Sequence, residues 1–337
     1  TNKAASNLKI IKLSPALYST NIKMLGRVPL LPLNLQQLVL LFATLSPLYN
    51  KALVCMLYIG CPQWSSNAWK GNLFSSQCKN ADMLSQYAQH FNSVEGNTSF
   101  YADPSPSTVL RWANSVPDDF KFTFKFNRRF SHELHLTNVQ TELTDWLNLF
   151  SPILGKTGQI MLQLPKAFGP GDLPKLAQFI SLLPKEVNYG VEVRHTAFFQ
   201  KGEAEIALNQ LLMAHNINRI SMDTRALFAV KPTTEALIDA QQKKPHLPVH
   251  AIATGSEPMA RFVIADLQND YKPFYKPWLS KVKQWLDEGK TPYLFFHTAD
   301  NREAPLLARQ FCKDLGYDHK ALNPFTGEKE AHQPALF

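Results

Sequence analysis

Acidic residues are missing from the first 55 positions of this 337-residue chain. That segment carries six lysines and arginines, which supply +6 of the net charge of +8 and leave +2 for residues 56–337. Because most of the chain is nearly neutral, its overall basicity does not by itself indicate a nucleic-acid partner. A content of 45% hydrophobic residues excludes a disordered chain and predicts a globular fold.

Long apolar runs and closely spaced cysteines are also absent from the sequence. The run LQQLVLLFATLSPL is shorter than the roughly 18 residues that a membrane span needs, so we expect no membrane partner. The four cysteines show neither CxxC nor metal-ligand spacing. Free thiols in a reducing compartment, and hence a cytoplasmic location, are the expectation.

The segment 1–55 differs from the rest of the chain in more than its charge. Four prolines interrupt any long helix in it, and no convincing signal-peptide cleavage site follows its apolar run. We therefore expect Met56 to be the native start and 1–55 to be a poorly structured N-terminal extension outside the fold. Residues 56–337 are expected to form one domain.

Polar and apolar residues alternate in the segment NYGVEVRH. Tyr189, Val191 and Val193 fall on one side of a predicted strand. Glu192 and Arg194 fall on the other side, where a strand of a soluble protein normally places hydrocarbon. The same alternation recurs in five further predicted strands, which are FNSVEGNTSF, KFTFKF, QIMLQLP, RISMDTR and PYLFFHT.

Segments with a helical spacing of apolar residues separate these strands. With Leu57–Gly60 as a first strand and Arg261–Ala265 as a seventh, strand and helix alternate about eight times. This predicts an α/β fold closed into a single TIM-type (β/α)8 barrel. An open doubly wound sheet is the disfavoured alternative, because no glycine-rich phosphate fingerprint follows the first strand. The predicted helices span Asp82–His90, Ser105–Asn114, Thr141–Phe150, Asp172–Leu183, Glu203–His215, Thr233–Gln241, Phe274–Glu288 and Glu303–Leu315.

Long motifs connect this chain to a known family. It resembles the YecE-like family of uncharacterised TIM-barrel proteins over essentially all of 56–337 and over none of 1–55. The resemblance implies the barrel fold, and it implies no reaction. The motifs that carry it include MLYIGCPQW, YAQHFNSVEGNTSFYADPSP, FSHELHL, NYGVEVRH, MDTRALFAVKP, ARFVIADLQND and TPYLFFHTADNREAPLLARQ.

The predicted barrel has an unusually polar interior. Side chains that point away from the helices point inward, and functional sites lie at the C-terminal ends of the strands. Buried charges there must be paired, hydrated or in contact with a ligand. We prefer a ligand pocket to the alternative, which is a network of ion pairs that merely fills the barrel. The predicted inward set is Glu95, Asn97, Lys125, Gln163, Glu192, Arg194, Asp223, Arg225 and His297.

Two kinds of role are assigned to these residues. Glu95 and Glu192 are predicted to act as acid and base, as in glycoside hydrolysis or sugar isomerisation. Asp223 and His297 complete the predicted catalytic set. Basic side chains suit carboxylate or phosphate, and aromatic ones stack on rings. The predicted substrate-binding residues are Asn97, Lys125, Gln163, Arg194, Arg225, His132, Trp64 and Tyr101.

The chemistry of the site stays open at this level. The leading hypothesis is an enzyme for a small polar substrate that bears hydroxyl, carboxylate or phosphate groups. The four predicted catalytic residues would also suit a divalent metal, although HxH and HExxH spacings are absent. A metal-dependent phosphoesterase or nucleic-acid-binding protein is therefore one alternative, and a non-catalytic ligand-binding protein is another. The basic loop QQKKPHLPVH is expected to be solvated.

Overall fold

The computed structural model describes residues 56–331, in which strands and helices alternate. The predicted extension 1–55 lies outside the described residues. The strands are β1 Tyr58–Gly60, β2 Ser93–Gly96, β3 Lys121–Lys125, β4 Thr157–Gln163, β5 Tyr189–Glu192, β6 Asn218–Arg219, β7 Ser221–Asp223, β8 Met259–Val263 and β9 Tyr293–His297. The α-helices are α1 Met83–His90, α2 Pro106–Asn114, α3 Gln140–Phe150, α4 Leu173–Ser181, α5 Glu203–Ala214, α6 Arg225–Phe228, α7 Glu235–Lys243, α8 Lys272–Asp287, α9 Ala304–Leu315 and α10 Thr326–Ala331.

Two of the helices begin at a side chain that caps the first turn. Ser105 Oγ accepts a hydrogen bond from the Thr108 backbone N–H at 3.2 Å, and proline occupies the first position of α2. Thr234 Oγ1 caps α7 in the same way by accepting from the Leu237 backbone N–H at 3.2 Å. Between residues 56 and 331 no helix is both long enough and apolar enough to cross a membrane.

All of the paired strands run parallel, which confirms the α/β class. They form two sheets within the described residues. One has the order β2-β3-β4-β5-β6, and the other has the order β1-β9-β8-β7. The pairing therefore does not give one continuous closed sheet, and the predicted single (β/α)8 barrel is not confirmed in that form.

Strand pairing is interrupted at two places between the sheets, and each interruption has a local cause. At one seam only Ile220 separates β6 from β7 along the chain. At the other, the side chain of Asn92 stands in place of ladder hydrogen bonds beside β1. Its Oδ1 accepts from the Ile59 backbone N–H at 2.9 Å, and its Nδ2 donates to the Leu57 carbonyl at 2.9 Å. One backbone hydrogen bond, from the Glu95 N–H to the Cys61 carbonyl at 3.0 Å, still joins the two segments.

The strands have two buried faces. The face towards the helices is largely aromatic, with the Phe124 and Phe150 rings 4.8 Å apart and the Phe126 and Trp146 rings 4.9 Å apart. The opposite face begins with apolar residues near the strand starts, which are Tyr58, Met161, Ile220, Met259, Tyr293 and Phe295. Nearer the C-terminal ends this opposite face becomes polar.

Gly60 lies where β1 and β2 approach each other closely. A Cβ at this position would collide with the backbone carbonyl of Ser93, which cannot move without displacing β2. We expect Gly60→Ala to lower the free energy of unfolding by about 2 kcal/mol or more, as overpacking of a core does. Urea denaturation measures this change. Gly155→Ala is the matched control, because nothing lies within 4 Å of its added Cβ. Equal stabilities of the two variants would contradict the close approach.

Candidate functional site

Seven polar side chains meet at the C-terminal ends of strands from both sheets, and we call this group the polar cluster. Six of them come from β2, β3, β4, β5, β8 and β9, and the seventh follows β5 by two residues. Each of the six strand residues is at most 7% exposed. The members of the polar cluster are Glu95, Lys125, Gln163, Glu192, Arg194, Arg261 and His297.

Arg261 lies at the centre of the polar cluster. Its Nε donates to Glu95 Oε2 at 2.9 Å, and its Nη2 lies 2.8 Å from Glu95 Oε1. Its Nη1 donates to Glu192 Oε2, so one guanidinium joins carboxylates from β2 and β5. His297 Nε2 lies 3.2 Å from Glu95 Oε2. Arg261 therefore has its donors engaged inside the protein and holds the two glutamates in place.

Lys125 and Arg194 stand beside this centre with donors to spare. Lys125 Nζ lies 3.1 Å from Gln163 Oε1 and 3.4 Å from Glu95 Oε1. Arg194 donates from Nε and Nη2 to Glu192 Oε1, at 2.9 and 2.7 Å. Its side chain is 22% exposed, so Arg194 lies at the open side of the cluster.

The two glutamates are ionised at neutral pH. Burial alone would raise the pKa of Glu95, but Arg261 and Lys125 outweigh it and hold that pKa well below its ordinary value. Burial acts on Glu192 in the same sense, and Arg194 and Arg261 overcome it to bring the pKa to about 2. Neither carboxyl group is therefore protonated near pH 7, which removes support for the predicted general acid.

The pKa values of the histidine and the lysine of the cluster are also lowered, which favours the neutral forms of these two groups. Burial is the main reason why the pKa of His297 falls to about 3, so its imidazole is neutral at pH 7. Burial, followed by repulsion from Arg261, lowers the pKa of Lys125 to about 8. Lys125 is thus the member of the cluster with a pKa closest to neutral pH, and such a group is suited to proton transfer.

Lys244 adds a further cation to the site. The residue is half-buried in the loop that follows α7. Burial and then Arg261 lower the pKa of Lys244 to about 7. The following residue, Pro245, accepts a hydrogen bond from Thr224 Oγ1 at 2.7 Å and lines a small cavity together with Glu192. The loop that was expected to be solvated therefore directs one lysine towards the cluster.

Sequence reasoning missed both Arg261 and Lys244. The predicted seventh strand began at Arg261, whereas β8 begins two residues earlier at Met259. With the correct start, Met259 and Arg261 share one side, so the alternation would have placed Arg261 inward. Lys244 gives no such signal, because a lysine in a proline-containing loop looks solvated in any sequence pattern.

Two predicted site residues lie elsewhere, which corrects the prediction for strand RISMDTR. Asp223 forms an ion pair with Arg225, and its Oδ2 accepts from Trp278 Nε1 of α8 at 2.8 Å. On the same strand segment Arg219 donates to Glu205 of α5 at 2.8 Å. Arg219 and Asp223 therefore face the helices, where partners satisfy their charges, and Ile220 between them faces inward. Asp223 and Arg225 do not join the polar cluster.

Trp64 and Asn97 also lie outside the cluster. The Trp64 ring packs edge-on against Trp112 of α2 at 5.2 Å and against Phe122 at 6.0 Å, on the helix side of β3. Asn97 Nδ2 donates to the Pro62 carbonyl at 2.8 Å and so fixes the loop after β1. Both residues therefore contact other parts of the protein and do not join the polar cluster.

Tyr101 and His132 lie near the edge of the site. Tyr101 is 72% exposed and contacts the edge of the Phe100 ring at 5.1 Å. His132 packs edge-on against the same ring at 5.4 Å, and Lys125 Nζ lies 5.7 Å from the centre of that ring. Burial and the nearby Arg128 and Arg194 lower the pKa of His132. The Phe100 ring thus contacts both His132 and Lys125 of the cluster.

The predicted metal site finds no support in the geometry. Between Met56 and the end of α10 no three His, Cys, Asp or Glu side chains lie close enough together to hold a metal ion. The carboxylate oxygens of Glu95 and Glu192 are engaged by arginine. The cysteines of this part of the chain, Cys61, Cys78 and Cys312, are buried free thiols, as expected.

Fold and site together define an α/β protein whose parallel strands carry a buried, charged cluster at their C-terminal ends. The family described as protein of unknown function DUF72 matches residues 58–334. The chain therefore belongs to the DUF72 family. It is similar to the UPF0759 protein YecE of Escherichia coli strain K12, with 45% identity over 260 residues, which cover 77% of this chain and 93% of that protein.

Solved structures of the family share the fold. A DUF72 family protein from Thermotoga maritima is similar with a TM-score of 0.58 and 21% identity, covering 77% of this chain and 99% of the other. A DUF72 family protein from Enterococcus faecalis gives a TM-score of 0.59 and 19% identity, covering 80% of this chain and 98% of the other. These similarities support the fold and carry no activity with them.

Proposed function

We propose that the polar cluster binds a small anionic molecule and that the protein acts on this molecule as an enzyme. The observation that carries the proposal is an excess of cationic side chains. Lys125, Arg194, Lys244 and Arg261 surround only two carboxylates, and the imidazole among them is neutral at pH 7. Buried charge without a partner is costly, so a bound carboxylate or phosphate would stabilise this arrangement.

The cationic side chains of the site have different roles in this proposal. Arg261 binds both glutamates and acts as a positioning residue. Arg194 uses Nε and Nη2 on Glu192, which leaves Nη1 for a ligand. Lys125 and Lys244 supply ammonium groups whose pKa values of about 8 and about 7 suit proton transfer at neutral pH. The cluster thus combines anion binding with groups that can move a proton.

Burial of the cluster favours a small ligand over a polymer. Glu95, Glu192 and Arg261 are at most 2% exposed, and a duplex backbone cannot reach side chains of this depth. This burial argues against the nucleic-acid alternative. A metal-dependent phosphoesterase is also disfavoured, because between residues 56 and 331 no three metal-ligating side chains lie close together. A cytoplasmic location is part of the same proposal, because small anionic metabolites are abundant there.

The barrel is the finer fold that we propose for this chain. Its two sheets would be parts of one (β/α)8 ring, with β6 and β7 as the two halves of its sixth strand. Two features support this reading: only Ile220 separates β6 from β7, and the Glu95 N–H bonds the Cys61 carbonyl beside β1. In such a ring the cluster lies at the C-terminal face, where barrel enzymes bind their substrates.

Binding of inorganic phosphate tests the anion site. We expect phosphate to raise the midpoint of thermal unfolding of the full chain and to bind measurably in calorimetry. Lys125→Met should weaken binding at least about tenfold, which is about 1.4 kcal/mol. The matched control is Lys121→Met on the same strand, because Lys121 bonds the Gly155 carbonyl and is far from the strand end.

Two results would contradict the anion site. One is the absence of any phosphate, sulfate or carboxylate binding at millimolar concentration. The other is an equal loss of affinity in the Lys121 and Lys125 variants, which would indicate binding to surface charge. A loss confined to the Lys125 variant supports the assignment.

A further inference from the structure

The loop between α7 and β8 is long and has no regular structure. It comprises residues 244–258, none of which belongs to a helix or a strand. Loops of this length are uncommon in compact domains, and they are usually lids or binding loops. A function is therefore expected for this loop. Its first half, residues 245–250, and its second half, residues 254–258, are attached to the protein in different ways.

The second half of the loop is fixed to β6 and to the residue before it. Thr254 Oγ1 accepts a hydrogen bond from the Arg219 backbone N–H at 2.7 Å and donates to the Ile217 carbonyl at 2.6 Å. The Glu257 backbone N–H donates to Asn218 Oδ1 at 3.1 Å. This half therefore cannot move without breaking several buried or half-buried hydrogen bonds.

The first half of the loop is held by side chains only. Within the part of the chain that the structure describes, no hydrogen bond joins its backbone to the backbone of another element. Thr224 Oγ1 donates to the Pro245 carbonyl at 2.7 Å, and Ser221 Oγ donates to the His250 carbonyl at 3.0 Å. His250 Nδ1 also lies 2.6 Å from Glu205 Oε1.

Ring stacking also holds the first half. The imidazole of His246 lies nearly parallel to the Phe228 ring, with the ring centroids 4.2 Å apart and the planes inclined by 10°. Phe228 is the last residue of α6, and His246 is exposed to solvent. Because these attachments involve side chains and no strand pairing is broken, the first half can separate from β7 at a small cost in free energy.

The first half covers a gap in the strand pairing beside the polar cluster. The pairing of β5 with β6 ends at Val191 and Arg219, and among the described strands β7 pairs only with β8. A cavity of about 10 Å³ lies here, and Glu192 of the cluster lines it together with Pro245 and Leu247. This volume has room for one water molecule and none for phosphate. The closed loop therefore leaves no space for the proposed ligand at this gap.

We propose that residues 245–250 form a lid that moves away from β7, admits a small anion to the polar cluster and closes over it. The inference rests on the proposed anion site. It accounts for the access of a ligand to strand side chains that are at most 7% exposed. The end of α7 and the fixed second half of the loop are the two hinges. A lid that must close over its ligand also selects small molecules over polymers.

Thiol labelling of a cysteine inside the cavity measures the opening of the lid. Ile220 lines the cavity and is 5% exposed, so an Ile220→Cys thiol reacts with a thiol reagent when the lid is open. Met161→Cys is the matched control, because Met161 belongs to the same buried apolar group but does not line the cavity. We expect the Ile220→Cys thiol to react at least about tenfold faster than the Met161→Cys thiol, since local opening needs less free energy than global unfolding. The unsubstituted chain gives the background rate.

Thr224→Val should release the lid more often. It removes the hydroxyl that holds Pro245 and keeps the shape of the side chain. We expect labelling of the Ile220→Cys thiol to become about fivefold faster, as the loss of one hydrogen bond predicts, and labelling of the Met161→Cys thiol to stay unchanged. Thr144→Val on α3 is the matched control, because it also removes a hydrogen bond from a threonine hydroxyl to a backbone carbonyl.

His246→Ala weakens the lid at an exposed position and keeps the test valid if Thr224→Val does not fold. It removes the stack on Phe228, so we expect labelling of the Ile220→Cys thiol to become at least about twofold faster. His215→Ala, at another exposed histidine, should leave the rate unchanged.

Phosphorus NMR of the full chain with inorganic phosphate connects the lid to the ligand. In Thr224→Val the association and dissociation rates of phosphate should both rise about fivefold, because the same hydrogen bond limits passage in both directions. The affinity should change little, since the lid controls entry and the cations of the cluster hold the anion. A residue with a purely structural role would not change both rates in this way.

The outcomes separate the lid from the proposed function. Equal labelling rates for Ile220→Cys and Met161→Cys, unaffected by Thr224→Val, overturn the lid, and phosphate binding in the same experiment leaves the anion site intact. Faster labelling with unchanged phosphate rates means that the anion enters past Arg194, which overturns the lid as the entrance. Faster labelling without any phosphate binding supports the lid and overturns the proposed anion site.

Discussion

Replacing Arg261 with methionine is expected to lower the free energy of unfolding by about 3–5 kcal/mol. The variant leaves Glu95 and Glu192 buried without the guanidinium that binds both of them, and an uncompensated buried charge is among the most destabilising changes in a protein. Urea denaturation of the full chain at pH 7 measures the effect. The matched control is Arg302→Met, since Arg302 is 69% exposed and pairs only with Asp300 at 3.5 Å.

A second variant distinguishes lost charge pairing from lost packing. Combining Arg261→Met with Glu192→Gln removes one buried charge of each sign and keeps Glu95 beside Lys125, so we expect it to recover part of the stability that the single variant loses. No recovery would mean that the volume and shape of Arg261 matter more than its charge. A single variant as stable as the Arg302 control would disprove the central role of Arg261.

Acidification from pH 6.5 to about pH 3 is expected to destabilise the protein strongly through His297. Its pKa is about 3 in the folded state and about 6.5 when unfolded, so the unfolded state takes up the proton first and stability falls as the pH falls through this window. Three to four pKa units correspond to a loss on the order of 4 kcal/mol. The lowered pKa of Glu192 acts in the same sense below about pH 4.5.

His297→Gln isolates this contribution from the other buried histidines. His90 and His319 also have pKa values lowered to about 4, mainly by burial. The wild type and the His297→Gln variant should therefore both lose some stability in acid. The free energy of unfolding, measured by urea denaturation between pH 7 and pH 4, should fall less steeply in the glutamine variant. Parallel curves for the two proteins would show that His297 is not held neutral.

The polar cluster thus combines carboxylates that stay ionised near neutral pH with lysines whose pKa values lie close to neutral pH. Arg261 and Lys125 hold Glu95 ionised, and Arg194 and Arg261 do the same for Glu192, so the two carboxylates do not exchange protons near neutral pH. Lys125 and Lys244 keep pKa values close to neutral for the opposite reason, because burial and repulsion from Arg261 disfavour their charges. Arg261 thus contributes to the protonation states of the carboxylates and of the lysines.

The sequence by itself determined the α/β class and most of the cluster. Strand alternation depends only on the pleat, so KFTFKF, QIMLQLP, NYGVEVRH and PYLFFHT were assigned the correct sides. Helix positions followed from apolar spacing and capping residues, and they agree with the structure within a few residues. Lys125, Gln163, Glu192, Arg194 and His297 could be predicted as neighbours for this reason, together with Glu95.

Only the tertiary structure decided which polar strand residues face each other. In β6 and β7 both faces are buried, so Arg219 and Asp223 could point to either side, and the helix residues Glu205 and Trp278 settle the choice. The loop that carries Lys244 folds back over β5 and β7, which no local pattern encodes. Partners distant in sequence determine these orientations, since a buried polar group lies where its hydrogen bonds are satisfied.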